Sequence, residues 1–113
     1  MIAQNPVNRF EYSSNIDSLH IFGNEESDVE GSLMFENFIF DVDTEGRIIG
    51  LEIDNASNLL NMAPEFINDN LKEAFLNVKM SSNIIFLGFS IMIQKEKFNF
   101  SYMIPREKIS LTC

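Results

Sequence analysis

The sequence predicts an α+β fold: a mostly antiparallel β-sheet of about six to seven strands, with one main amphipathic helix between two strand groups. Three observations predict it. Apolar residues alternate with polar ones at period two in the first half and again toward the end. Between these regions, one stretch after Pro64 carries apolar side chains at helical spacing. The links are short enough for hairpins, so sequential strands should pair antiparallel. At 113 residues the chain has room for one core and reads as a single domain, 1–113, with a β-rich half over 17–60 and a helix plus hairpin over 61–113.

Phe10 and Tyr12 alternate with Arg9, Glu11 and Ser13, the pattern of a half-buried strand. From Asp17 to Gly23, Leu19 and Ile21 share one face, with His20 and Phe22 on the other. Residues 24–32 are polar, acidic and closed by glycine, which predicts a loop. Phe38, Phe40 and Val42 then share a face, as do Ile49, Leu51 and Ile53, and the polar turn between them makes a hairpin.

Asn55, Ser57 and Asn58 offer capping side chains for a short helical turn before Leu59 and Leu60. Pro64 is the stronger helix start, because proline at the first helical position loses only a hydrogen bond it would lack anyway. From there Phe66, Ile67, Leu71, Ala74 and Phe75 fall on one side, predicting about three helical turns. Residues 76–80 leave the helix as a strand. In residues 83–94, Ile85, Leu87, Phe89, Ile91 and Ile93 line one face, while Ile84, Phe86 and Met92 line the other. Lys95-Glu96-Lys97 reads as a turn, and Phe98, Phe100, Tyr102 and Ile104 form a last strand that Pro105 ends.

A strand that is apolar on both faces needs cover on both. In so small a chain the second cover points to another copy, which makes Ile84, Phe86 and Met92 interface candidates and a homodimer the expected assembly.

Charge and composition exclude several classes. Eight basic against seventeen acidic residues give a net charge of -9, which opposes binding to nucleic-acid phosphates. Residues 1–60 carry twelve acids against two bases, while 61–113 are nearly balanced, an asymmetry that suits self-association or a basic protein partner. One Cys and one His exclude a disulfide framework and any Cys/His zinc site within one chain. No signal sequence or run long enough to span a membrane as a helix is expected, so the reading is a cytoplasmic protein without membrane contact.

Residues 41–52 nearly fit a twelve-residue calcium loop, with Asp41, Asp43 and Glu45 as oxygen donors, Gly46 at the bend and Glu52 as closure. The flanks oppose it. Alternation on both sides predicts strands rather than helices, and extended backbone carries Glu52 roughly 15 Å or more from Gly46. The stretch therefore reads as a hairpin turn in which Gly46 supplies positive φ and the carboxylates point into water.

The run from Asp41 through Glu52 to Asn55-Ala56-Ser57 resembles the core of a family of small proteins of unknown function, DUF2283, in which an acidic strand and an Asp/Gly turn lead to an Ile-x-Gly-Ile-Glu-Ile-like strand and Asn-Ala-Ser. Ser18-Leu19-His20-Ile21-Phe22 answers to the family's earlier strand, so the resemblance covers about residues 17–60. It implies the hairpin and no catalytic residue.

Other candidates carry little chemistry. His20 has no second His and could pair with Glu36 or Glu52; Cys113 lacks a base, and Lys95, Lys97, Arg106 and Lys108 are the one candidate anion cluster. The expected function is a non-enzymatic protein-interaction module without catalytic residues or cofactor. It would act as a homodimer or in a small regulatory complex with a basic protein. The alternative is a small-ligand or divalent-cation-binding protein, using the acids of 24–32 and the 41–45 segment with Asp41, Asp43 and Glu45 as ligands.

Overall fold

Period-two patterning needs partners on both strand edges and cover on the apolar face, and the chain meets both needs with two antiparallel sheets. The computed structural model describes the backbone of residues 9–23 and 28–112, and side chains through residue 109. Strands β1 (Arg9–Ser13), β2 (Ser18–Phe22), β3 (Gly31–Phe35), β4 (Phe38–Val42) and β5 (Ile48–Asp54) precede two short helices, α1 (Ala56–Leu60) and α2 (Pro64–Asn70). Three ten-residue strands follow, β6 (Leu71–Met80), β7 (Ile84–Ile93) and β8 (Glu96–Pro105). A single 3₁₀ turn at Arg106–Lys108 leads into β9 (Ser110–Thr112).

The first sheet has the order β1-β2-β5-β4-β3-β9 and the second β6-β7-β8, every pairing antiparallel. Their inner faces meet in one core. Leu19, Ile21, Phe38, Phe40, Leu51 and Ile53 come from the first sheet, and Ala74, Ile85, Leu87, Phe89, Ile91, Ile93 and Ile104 from the second. Phe38 joins the two sheets, its ring 5.1 Å from that of Tyr102 and 6.3 Å from that of Phe89. The smallest dimension of the fold, 24 Å, suits two sheets spaced about 10 Å apart with side chains on their outer faces.

The α+β class, the antiparallel pairing and the 38–54 hairpin are as the sequence predicts. So is the burial of Ile85, Leu87, Phe89, Ile91 and Ile93 on one face of β7; the other face, read as apolar and in need of cover, has Phe86 exposed and Ile84 and Met92 half-buried. The number of strands is higher than six to seven, and there are two sheets rather than one. Strand β3 begins inside the expected 24–32 loop and forms a tight hairpin with β4, with Glu36, at φ 51°, in its turn. The final strand β9 is too short to carry a readable period.

The main helix is shorter than the three turns expected. It begins at Pro64 as predicted but ends at Asn70, and Leu71 onward is strand. Ala74 fits both a helical spacing from Phe66 and Ile67 and a strand alternation with Leu76 and Val78. Pairing along the ten residues of β7 favours the strand. The turn expected at Lys95-Glu96-Lys97 sits at Gln94 and Lys95, where Gln94 has φ 57° and its backbone N–H donates to the Asn70 carbonyl.

Candidate functional site

Two outer faces carry the remaining chemistry. On the first sheet, strand register places Glu11, His20 and Glu52 side by side, and places Gly50 between Phe22 and Asp41. His20 Nε2 lies 2.7 Å from Asp41 Oδ2. The contact crosses β5 diagonally, and Gly50 makes room for it, since a Cβ there would stand 2.6 Å from that same oxygen. The imidazole also stacks on Phe22, centroids 4.1 Å apart, and the Arg9 guanidinium lies 5.1 Å from the other ring of that pair, Phe22. The hydrogen bond to Asp41 pushes the His20 pKa up; burial opposes this, and the charges of Asp41, Glu52 and Glu11 add to the rise. The predicted partners Glu36 and Glu52 are thus replaced by Asp41, with Glu52 beside the ring.

The acidic turn is an internal brace rather than a set of solvated carboxylates. Asp43 is buried, and its Oδ1 accepts the backbone N–H groups of Glu45 and Arg47, each at 2.9 Å. Its Oδ2 accepts from Arg47 Nε at 2.8 Å. Glu45 Oε2 pairs with Arg47 Nη2 at 2.8 Å, and Gly46 takes φ 78°, the positive value the sequence predicts. Burial alone would raise the Asp43 pKa, but the hydrogen bonds from Arg47 and Glu45 outweigh it and hold the carboxyl below its ordinary range. Of the three candidate cation ligands, Asp41 therefore turns to His20, while Asp43 and Glu45 turn to Arg47. Among the described residues no group of three or more His, Cys, Asp or Glu is placed to hold a metal ion. Glu25, Glu26 and Cys113 lie outside the described residues, whereas Asp28 and Glu30 are exposed.

A third carboxylate was not singled out in the sequence. Asp17, in the turn between β1 and β2, accepts the Ser57 backbone N–H at 3.0 Å and the Ser57 hydroxyl at 2.6 Å, and the Tyr12 hydroxyl donates to it at 2.6 Å. It caps α1 from forty residues away, a service that Asn55 does not perform with its own side chain. Burial pushes this carboxyl up, but the hydrogen bonds from Ser57 and Tyr12 prevail and its pKa is lowered.

The second sheet presents an apolar outer face. Phe86 is 42% exposed and Met103 66%, while Ile84 and Met92 are half-buried. Between Phe86 and the polar part of β7, Gly88 leaves an open hollow of ≈ 590 Å³ lined by Asn77, Lys79, Phe86, Ser101 and Met103. Met103, a methionine expected to fill core space, stands instead on the outer face, because the alternation from Phe98 to Ile104 turns it away from the core. Lys95, Lys97, Arg106 and Lys108 are all exposed.

Residues 9–57 match the family model described as a protein of unknown function, DUF2283. These residues form a DUF2283-like segment. It takes in β1 to β5 and ends at Ser57, the residue that Asp17 holds. The His20–Asp41 contact, Gly50 and the Asp43 brace all lie within the DUF2283-like segment, whereas the apolar outer face of β6 to β8 lies beyond it. No curated protein and no solved structure matches the chain.

Proposed function

We propose that the chain is a non-enzymatic protein-interaction module that acts as a homodimer, with the outer face of β6 to β8 as its contact surface. The observation that carries this reading is the exposure of Phe86 and Met103 on a face that Ile84 and Met92 extend. Exposed apolar area is unfavourable in water by about 25 cal/mol per Å², and removing it from water is the main drive to association. Contiguous apolar patches on soluble chains commonly mark such contacts. Glu11 and Glu52 flank His20 on the opposite, acidic face of the molecule, which suits a basic protein in a small regulatory complex. A single cysteine fits a cytoplasmic setting. No helix among the described residues is long and apolar enough to cross a membrane. Binding of a divalent cation at 41–45 gains no support, because the three carboxylates already have partners.

Sedimentation velocity across a range of about 1 to 100 μM should show a dimer whose population grows with concentration, as mass action requires. The Phe86→Ser variant should stay folded and shift to monomer. A wild-type chain that sediments as a monomer throughout would remove the reading.

A further inference from the structure

We propose that two copies pack face to face about a two-fold axis that runs across the strands of β6 to β8, level with Leu87. This rests on the reading above that the outer face meets a second copy; it adds the orientation and the contacts. The outer-face positions of β7 run Ile84, Phe86, Gly88, Ser90 and Met92, so two large side chains are followed by two small ones before Met92 closes the strand. Such an axis lays β7 antiparallel over its symmetry mate. It puts Phe86 over Gly88 of the second copy and Ile84 over Ser90, so large meets small in both of these rows of β7. On β8 the same operation seats Met103 over Ser101, and on β6 it seats Lys79 over Asn77. The hollow above Gly88 is therefore a receptor for Phe86 of the other copy. A two-fold axis along the strands would instead set Phe86 against Phe86 and Gly88 against Gly88, leaving a collision beside a void.

Beyond the ladder, the row of Met92, with Glu73 on β6, falls toward the turn between β6 and β7 of the second copy, where Arg106 donates to the Ser81 carbonyl, so an acid approaches a base twice by symmetry. Three ten-residue strands present a face of roughly 33 by 14 Å at about 3.3 Å per residue and 4.8 Å between strands. Two such faces bury roughly 900 Å² before side-chain relief is added, near the lower bound of about 1,000 Å² for specific interfaces.

The test uses the full chain with Cys113→Ser as background. Met103→Cys and Ser101→Cys variants are made singly, and each is oxidised alone and in an equimolar mixture. The mixture should yield a disulfide-linked dimer and neither variant alone should. Ser101→Trp, at an exposed position, should fill the hollow and give a monomer with unchanged far-ultraviolet circular dichroism. If the background chain sediments as a dimer but only single variants link, or nothing links, the orientation is wrong while the homodimer stands. Linkage of Met103→Cys with Lys79→Cys would assign the axis along the strands. A background chain that is monomeric throughout overturns both.

Discussion

Gly50 sits between Phe22 and Asp41 in the first sheet, and the absence of its Cβ is what lets the Asp41 carboxylate reach across β5 to His20. The atom a Gly50→Ala methyl would meet is the far end of a side chain, so Asp41 can rotate away and the fold survives. The expected outcome is a native spectrum with a His20 titration, followed by NMR, displaced downward toward the ordinary imidazole value of about 6.5. An unmoved titration would show that Asp41 does not set it. Stability follows from the same contact. Because the folded pKa of His20 is raised, its contribution is fully present below about pH 6.5 and is lost as pH rises through the folded value. The difference in urea midpoint between wild type and His20→Gln should therefore be larger at about pH 5.5 than at about pH 8.5. Nothing in the sequence pairs residue 20 with residue 41; strand order brings them together. Gly46 is different, since an acidic turn closed by glycine between two alternating runs announces its positive φ locally.

Strands with one buried face were legible because alternation reports burial directly, as in Ile85 to Ile93 and Ile49 to Ile53. The boundary between α2 and β6 was not. Leu71, Ala74 and Phe75 satisfy both periods, and pairing with β7 chooses between them. Capping of α1 was equally hidden, because its acceptor, Asp17, is supplied by a distant hairpin turn. Between the sheets, Phe38 is the hinge of packing, buried against Phe89 and Tyr102. Phe38→Ala should lower unfolding stability by about 3–5 kcal/mol through lost burial and the cavity left behind, measurable in urea. A loss below about 1 kcal/mol would mean that the sheets do not depend on this contact.

The two sheets cover one another, with Ala56 and Leu60 of α1 and Ile67 of α2 in the same core. The inner face of the DUF2283-like segment, including Leu19, Ile21, Phe40, Leu51 and Ile53, is wholly shielded, with β6 to β8 contributing the other side of the core. A fragment of residues 9–61 should therefore lack a cooperative thermal transition and bind the dye ANS, while the full chain melts cooperatively. A sharp transition in the fragment would show that the family segment folds independently.

Patterning, turn chemistry and proline placement were enough to specify an antiparallel α+β chain, the hairpin around Gly46, the start of α2 and the buried side of β7, because each depends on neighbours a few residues apart. The pairing of His20 with Asp41, the inward service of Asp43 and Asp17, the division into two sheets and the hollow over Gly88 arise only when strands distant in sequence lie side by side. Their cause is register, which couples residues through space and leaves no mark on any local window.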